Sequence, residues 1–181
     1  MSARYIIAID VGIKNLSLCT FDVRVAKIVL WDCVSIVAFG KYLPSRNVSY
    51  VKDFIDKYRP YFDAAVKVLI ERQMRLNMRI IEAVLHAMCY DVCTVIAPRS
   101  VKVHYQLSAN NYRDNKMRAT EWALTYVFNH PETFTDRSAD LFVNSKKQDD
   151  FADSLLLMLY YLDTYSDVLV HGSYRDKRWG A

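Results

Sequence analysis

The chain has 181 residues, about the length of one domain, and 52% of them are hydrophobic, so it can bury a sizeable core. Its 4 glycines and 4 prolines are too few for a disordered chain or a turn-rich β-sandwich, and no apolar run reaches the ~20 residues of a membrane-spanning helix. The formal net charge of +4 is modest, so the placement of the charged residues is more informative than their sum.

The N-terminal half alternates between strand and helix patterns. In chain order it predicts three strands, a helix, a strand, a helix and a strand, over residues 5–11, 15–23, 27–39, 48–61, 65–71, 77–90 and 92–97. Short links between the first three strands favour an antiparallel meander. Asn77 is the predicted N-cap of the second helix.

The C-terminal half is predominantly helical. In chain order it predicts a short helix, a polar loop, a long helix, an irregular segment and a final helix, over residues 99–106, 108–115, 117–130, 133–147 and 149–163. The final helix is apolar all round and is expected to be buried, with Asp149 as a candidate N-cap. An extended tail is predicted after Val170, with basic residues at Arg175, Lys177 and Arg178. The order of elements predicts an α/β fold, in which a mixed five-stranded sheet carries helices on both faces.

The four cysteines form no CxxC pair and are predicted to be reduced, buried thiols. They are Cys19, Cys33, Cys89 and Cys93. The first strand also follows Met1 too closely for a signal peptide. Both features indicate a reducing, intracellular compartment.

Two of the predicted strands end in a carboxylate. Asp10 is the only charge in its apolar strand, and Glu71 closes the fourth strand. Open α/β sheets bind ligands at the carboxyl ends of their strands, so both side chains are candidates for one site. Each also has an ordinary explanation, because Asp10 could cap a loop and Glu71 could form an ion pair with Arg72 or Arg75.

Asp150 and Asp153 open the final predicted helix three residues apart, so a helix presents both on one side. Aspartates also favour the positive N-terminus of any helix, and Asp149 could take the place of Asp150. Taken with Asp10 and Glu71, the pair meets the requirements of two-metal phosphodiester hydrolysis. Oxygen ligands suit Mg²⁺ or Mn²⁺ better than zinc.

Two lysines are candidates for stabilising negative charge on a phosphate. Lys102 follows Pro98 just past a predicted strand, and Lys116 opens the next helix. Either could instead be an ordinary solvated lysine. Other basic residues crowd the same part of the chain and suit a phosphate backbone: Arg99, His104, Arg113, Arg118, Lys146 and Lys147.

In this order, the motifs resemble those of the RuvC-like Holliday junction resolvases of the RNase H and retroviral-integrase superfamily, and especially their poxvirus members. The resemblance extends over nearly the whole chain. It is carried by Ile9-Asp10-Val11-Gly12 with Lys14-Asn15, Ile70-Glu71, Pro98-x-x-Val101-Lys102, Lys116 and Asp150-x-x-Asp153-Ser154-Leu155.

The resemblance implies a single RNase H-like nuclease domain over residues 1–181 that acts as a homodimer. It would cut four-way DNA junctions by paired nicks, in recombination and in the resolution of viral genome concatemers in the host cytoplasm. The implied cofactor is Mg²⁺, for which Mn²⁺ would substitute, and the implied metal ligands are Asp10, Glu71, Asp150 and Asp153. With Lys102 and Lys116 these form the implied catalytic set.

The implied DNA-binding residues are Lys14, Asn15, Met74, Arg99, Arg113, Arg118, Lys146 and Lys147. Met74 stands where bacterial members carry an aromatic wedge, and residues 110–115 replace a segment that is glycine-rich in those members. The apolar face of the predicted helix over residues 77–90 is either a dimer interface or plain core.

Two other classes of protein remain as alternatives. Asp10-Val11-Gly12 with Asn15 also resembles the first phosphate motif of actin-like kinases and ATPases, although those proteins need two lobes and this chain has the length of one. A DNA-binding module without catalysis is the other alternative, and the presence of all four carboxylates argues against it.

Overall fold

The computed structural model describes residues 4–109 and 111–170. The extended tail predicted after Val170, with its basic residues Arg175, Lys177 and Arg178, lies outside the described residues. Within those residues, no helix combines the length and the apolar character that a bilayer crossing needs.

Five strands form one mixed sheet. They are β1 (Tyr5–Asp10), β2 (Leu16–Asp22), β3 (Lys27–Val34), β4 (Ala65–Glu71) and β5 (Cys93–Ile96). The spatial order is β3-β2-β1-β4-β5. Antiparallel pairing joins β1 to β2 and β2 to β3, whereas β1 and β4, and β4 and β5, are parallel. The predicted meander and mixed five-stranded sheet are confirmed.

Helices cover both faces of the sheet, as predicted. They are α1 (Asn47–Lys57), α2 (Arg59–Phe62), α3 (Leu76–Met88), α4 (Pro98–His104), α5 (Tyr112–Asn129), α6 (Asp136–Val143) and α7 (Gln148–Val170). One hydrophobic core lies between the sheet and α1 and α3. The second core lies between the sheet and α4, α5, α6 and α7.

The alternation of side chains along the central strand sends residues into both cores. Ile6 and Ala8 belong to the core beneath α7, whereas Ile7 and Ile9 belong to the core beneath α1 and α3. Because successive strand residues point to opposite faces, Asp10 lies on the α7 side of the sheet. The helix α7 is mostly apolar because it packs into this core, and the side chains from Phe151 to Leu159 are buried.

The third strand ends earlier than predicted. It stops at Val34, whereas the apolar pattern predicted a strand to residue 39. Ser35 turns the chain, since its hydroxyl accepts from Val37 N at 3.2 Å, and Ile36 N donates to Ile13 O at 3.0 Å. These bonds take the backbone out of the ladder and tie this loop to the loop that follows β1.

Two predictions for the helices of the N-terminal half were wrong in detail. The helix predicted over residues 48–61 is divided into α1 and α2, because Pro60 lies in the first turn of α2 and lacks a backbone N–H. The cap of α3 is Arg75, in extended conformation, and Asn77 lies inside the helix.

Larger corrections concern the C-terminal half. The polar loop predicted over residues 108–115 ends early, because Asn111 caps α5 by accepting from Asp114 N at 2.9 Å. The segment predicted to be irregular over residues 133–147 contains α6, which Thr135 and Ser138 start with a capping box. Asp149 is not the N-cap of the final helix, because α7 begins at Gln148 and continues to Val170, beyond the predicted end at residue 163.

The four cysteines are free thiols, as predicted. Cys19, Cys89 and Cys93 are buried, whereas Cys33 is only partly buried. Burial raises the pKa of Cys33 to about 12 and that of Cys89 to about 11, so both stay protonated near neutral pH.

Candidate active site

One cleft of about 590 Å³ collects all six residues predicted to be catalytic. It lies where β1 and β4 end, beside the first turns of α7. The six side chains in its wall are Asp10, Glu71, Lys102, Lys116, Asp150 and Asp153. The cleft therefore joins residues from five different strands and helices.

Asp10 and Glu71 lie side by side because their strands are parallel and in register. Ile9 pairs with Ile70, so the next residue of each strand reaches the same edge of the sheet on the same face. Asp10 is buried, at 9% exposure. The alternative explanation for Glu71 is not realised, because Arg72 Nε pairs with Glu82 Oε1 at 3.1 Å and, among the described residues, no ion pair joins Glu71 to Arg75.

Gln73 holds these two carboxyl groups and was not identified from the sequence. Its side-chain amide is 3.4 Å from Asp10 Oδ1, 3.4 Å from Glu71 Oε2 and 3.3 Å from Glu71 O. The backbone N–H of Gln73 donates to Glu82 Oε2 at 2.7 Å, which fixes the residue against α3. A polar side chain two residues after the end of an apolar strand is the only sequence signal for this role.

The loop after Asp10 makes a tight turn that requires glycine. A Cβ atom added to Gly12 would lie 2.2 Å from Asn15 O, far inside van der Waals contact. Asn15 is thereby brought back to the wall of the cleft beside the exposed Lys14. The space that a side chain would need at Gly12 is filled by the backbone of Asn15.

The second half of the site comes from α7 and α5. Asp150 and Asp153 lie in the first two turns of α7, and Asp153 is 8% exposed. Lys116 Nζ is 2.5 Å from Asp153 Oδ2, 3.6 Å from Asp150 Oδ1 and 3.8 Å from Asp149 Oδ2. Asp149 contacts Lys116 but does not line the cleft.

Burial and mutual repulsion raise the pKa values of Asp10, Glu71 and Asp150. Burial, together with the neighbouring Glu71 and Asp153, holds the pKa of Asp10 well above its usual range. Burial and then Asp153 raise the pKa of Glu71 to about 7, whereas its hydrogen bond with Asp10 lowers it. Both groups therefore bind protons more strongly than ordinary carboxyl groups do. Burial also raises the pKa of Asp150.

Lys102 and Lys116 bring positive charge to this cluster of carboxyl groups. Burial acts to lower the pKa of Lys116, but the adjacent Asp153 carboxylate outweighs it, so the pKa is raised and the side chain stays charged. Lys102 projects from α4, which begins at Pro98 as expected for proline in a first turn. Its positive charge lowers the pKa of Glu71.

The donor set fits a hard divalent cation. Four carboxyl groups supply oxygen ligands, and the raised pKa values of Asp10 and Glu71 reflect burial together with repulsion from neighbouring carboxylates. Among the described residues, no group of three or more His, Cys, Asp or Glu side chains is already gathered closely enough to hold a metal ion. The ammonium of Lys116 instead balances part of the negative charge in this arrangement.

The residues predicted to bind DNA fall into two groups. Lys14, Asn15 and Met74 line the cleft, and Met74 is 84% exposed at its rim. A second set lies outside the cleft and consists of Arg99, Arg113, Arg118, Lys146 and Lys147, all of which are exposed. Of these, Lys147 lines a neighbouring groove of about 700 Å³ that also includes Asn15. Arg118 donates to Ser108 O at 3.3 Å.

Comparison with known proteins identifies relatives of this chain. The family model described as the poxvirus A22 protein matches residues 4–164. No curated protein sequence matches. Among solved structures, the yeast mitochondrial Holliday junction resolvase has a TM-score of 0.69 at 18% identity, covering 93% of this chain and 86% of its own.

The fowlpox virus Holliday junction resolvase has a TM-score of 0.63 at 19% identity, covering 88% of this chain and 98% of its own. The same viral resolvase in complex with its Holliday junction substrate DNA matches with the same TM-score and identity. At identities this low, the TM-scores show a shared fold and no more. The RNase H-like fold predicted from the sequence is thereby confirmed.

Proposed function

This chain belongs to the poxvirus A22 protein family, and we propose that it is a metal-dependent endonuclease that resolves four-way DNA junctions. The observation that carries the proposal is the convergence of four carboxylates and two lysines in one cleft, on a fold shared with Holliday junction resolvases. The reaction would serve DNA recombination and the resolution of viral genome concatemers. We place it in the cytoplasm of the infected host cell and assign it to one domain over residues 1–181.

We assign four residues as ligands of Mg²⁺, with Mn²⁺ as a substitute: Asp10, Glu71, Asp150 and Asp153. When bound, the cations lower the pKa of the attacking water and stabilise negative charge on the scissile phosphate. Without them, the carboxylates repel one another. The ammonium of Lys116 offsets part of this repulsion.

The remaining polar residues of the cleft position these groups. Lys116 holds Asp153 through its contact at 2.5 Å, and Gln73 holds Asp10 and Glu71 through its amide. Lys102 is partly buried in the same wall, where its ammonium can stabilise the charge that develops on the phosphate. Preorganised charges of this kind act strongly in a site that excludes water.

DNA would enter along the basic residues around the cleft. Lys14 and Asn15 lie in the wall of the cleft, and the exposed thioether of Met74 at the rim is suited to apolar contact with unstacked bases at the branch point. The neighbouring groove lined by Lys147 continues the path. Phosphate contacts from the outer residues would add affinity that depends on salt: Arg99, Arg113, Arg118 and Lys146.

A homodimer suits a four-way junction because two identical sites related by two-fold symmetry can address two symmetry-related strands. The helix predicted as an interface has two apolar faces. Ile81 and Leu85 are buried against the sheet, whereas Leu76, Ile80 and Met88 are exposed on α3. We propose that this exposed face, together with Val48 of α1 and the alanines of α3, forms the dimer interface.

The alternatives are less well supported. An actin-like kinase needs two lobes, and the described residues form one five-stranded sheet. A binding module without catalysis would have no need for the buried carboxylates, which are costly to keep together. An assay for metal-dependent nicking, ATP turnover and junction binding without cutting separates the three classes.

The decisive experiment is cleavage of a synthetic four-way junction with Mg²⁺ or Mn²⁺, compared with linear duplex and single-stranded DNA. Asp10→Asn and Glu71→Gln should abolish cutting, whereas Glu121→Gln, which changes an exposed carboxylate of α5, should not. Equal cutting of linear duplex, or full activity of Asp10→Asn, would refute the proposal.

A further inference from the structure

A buried chain of hydrogen bonds lies directly behind the carboxylates. Ser17 Oγ and Ser154 Oγ are 2.7 Å apart, and Ser154 Oγ is 2.9 Å from Phe151 O. Trp31 Nε1 donates to Phe151 O at 3.1 Å and to Ser154 Oγ at 3.2 Å. All donors are satisfied when Ser17 donates to Ser154 and Ser154 donates to Phe151 O. Ser17, Trp31 and Ser154 are fully buried.

Each end of this chain adjoins a catalytic carboxylate. Ser17 of β2 is the cross-strand partner of Asp10, so their side chains lie on the same face of the sheet. Ser154 follows Asp153 directly in α7. The three hydrogen-bonded side chains therefore connect β2 and β3 to the turn of α7 that bears Asp153.

Apolar packing alone does not determine how α7 is rotated. The helix is buried on almost all sides from Phe151 to Leu159, and hydrophobic contacts are non-directional. A shift by one residue turns a helix by about 100°, which would replace Asp153 in the cleft by Ala152 or Ser154. The same shift would leave the buried Trp31 N–H without a partner and would leave the Ser17 hydroxyl with only its 3.4 Å contact to Asp32 O, and unpaired buried polar groups are strongly unfavourable.

We propose that Ser154, held by Ser17 and Trp31, is a positioning residue that sets the rotation of α7 and thereby the affinity of the cleft for a divalent cation. The inference rests on the proposed function, because it assumes that Asp150 and Asp153 act with Asp10 and Glu71. Groups that orient metal ligands typically contribute 10–100-fold to metal affinity.

The chain offers a matched control for this serine. Ser138 is equally buried, at 1% exposure, and its hydroxyl is also hydrogen-bonded, to Thr135 O at 2.8 Å and to Ile28 O at 3.1 Å. It ties α6 to β3 and lies outside the cleft. Ser138→Ala therefore removes a comparable buried hydroxyl without touching α7.

The test is binding of Mn²⁺ alone to each full-length variant, measured from the electron paramagnetic resonance signal of free Mn²⁺, with urea unfolding in parallel. Ser154→Ala and Ser138→Ala should lose similar stability, but only Ser154→Ala should weaken Mn²⁺ binding, by roughly 10-fold or more. Equal Mn²⁺ affinity of the two variants would overturn the inference.

Ser17→Ala is a second variant, and it decides the matter if Ser154→Ala does not fold. It removes the partner hydroxyl from a strand and should also weaken Mn²⁺ binding, whereas unchanged binding would overturn the inference. In the double variant the two losses should not add, because both act on one contact. Wild-type protein that binds Mn²⁺ but leaves junctions uncut would refute the proposed function and not the positioning role. Failure of the wild type to bind Mn²⁺ would overturn both.

Discussion

Replacing Lys116 with methionine tests the charge balance of the cleft. The Lys116 ammonium lies 2.5 Å from Asp153, 3.6 Å from Asp150 and 3.8 Å from Asp149, and the lysine side chain is only 17% exposed. Methionine is close to lysine in length and keeps the apolar stem, so the charge is the main loss. The carboxylates would then face one another without that cation.

The size of the effect can be worked out from these distances. With an effective dielectric constant of about 20, Coulomb's law gives roughly 7 kcal/mol for the shortest contact and roughly 4–5 kcal/mol for each of the others. Desolvation of the ammonium offsets most of this attraction, and removal of one member of a buried pair typically costs about 3–5 kcal/mol. Asp149 is 42% exposed and its contact is screened, so we expect about 3 kcal/mol.

The assay is urea unfolding of wild type and Lys116→Met in chelator and in saturating Mn²⁺. Because the cation neutralises the same carboxylates, Mn²⁺ should stabilise the variant more than the wild type, and recover much of the loss. Lys146→Met is the control for stability, since Lys146 is an exposed lysine outside the cleft. Unchanged stability in chelator, or an equal gain from Mn²⁺ in both proteins, would refute the reasoning.

Three further predictions concern stability, the site and assembly. The hydrogen bond from Arg4 lowers the pKa of Asp22, so this contact stabilises the fold above the usual aspartate pKa of about 4 and is lost as pH falls through the lowered value. Asp22→Asn should therefore flatten the acid side of the stability profile measured by urea unfolding. Gln73→Leu should reduce junction cleavage by roughly 10–100-fold with the fold retained by circular dichroism, since Gln73 orients two carboxyl groups. Ile80→Glu should convert a dimer to a monomer in analytical ultracentrifugation, whereas Met117→Glu, at another exposed apolar position, should not.

Each of these has a clear contrary outcome. An unaltered pH profile of Asp22→Asn would mean that Arg4 contributes nothing to acid stability. Full activity of Gln73→Leu would remove Gln73 from the site. A wild-type protein that sediments as a monomer, or a dimer that survives Ile80→Glu, would place the assembly surface elsewhere than α3.

The strands and the antiparallel meander of the first three could be predicted because their pattern is local. An uninterrupted apolar run marks β1 as buried on both faces, and the short links between the first three strands leave little choice but a meander. Asp10 ends that run, and Glu71 ends the mostly apolar β4. For that reason the sequence indicated both as candidates before their proximity was known.

The wrong predictions concern elements whose stability depends on distant residues. The helix α6 has only 8 residues, and it is held by Phe142, whose ring stacks on Trp31 at 4.4 Å. Its start uses Ser138 where a capping box usually has glutamate or glutamine, so the signal was weak. Likewise β3 ends at Val34 because the next residues hydrogen-bond to the loop after β1, a partner that no local pattern reveals.

By itself, the sequence determined the fold class, the burial of the final helix and the identity of the acidic and basic candidates, because periodicity and residue type are properties of short segments. Only the tertiary structure decided that Gln73 joins Asp10 to Glu71 and that Lys116 faces Asp153. It alone also revealed the buried serines behind them. These contacts depend on register between strands and on the rotation of α7, which are set by packing between segments far apart in the chain.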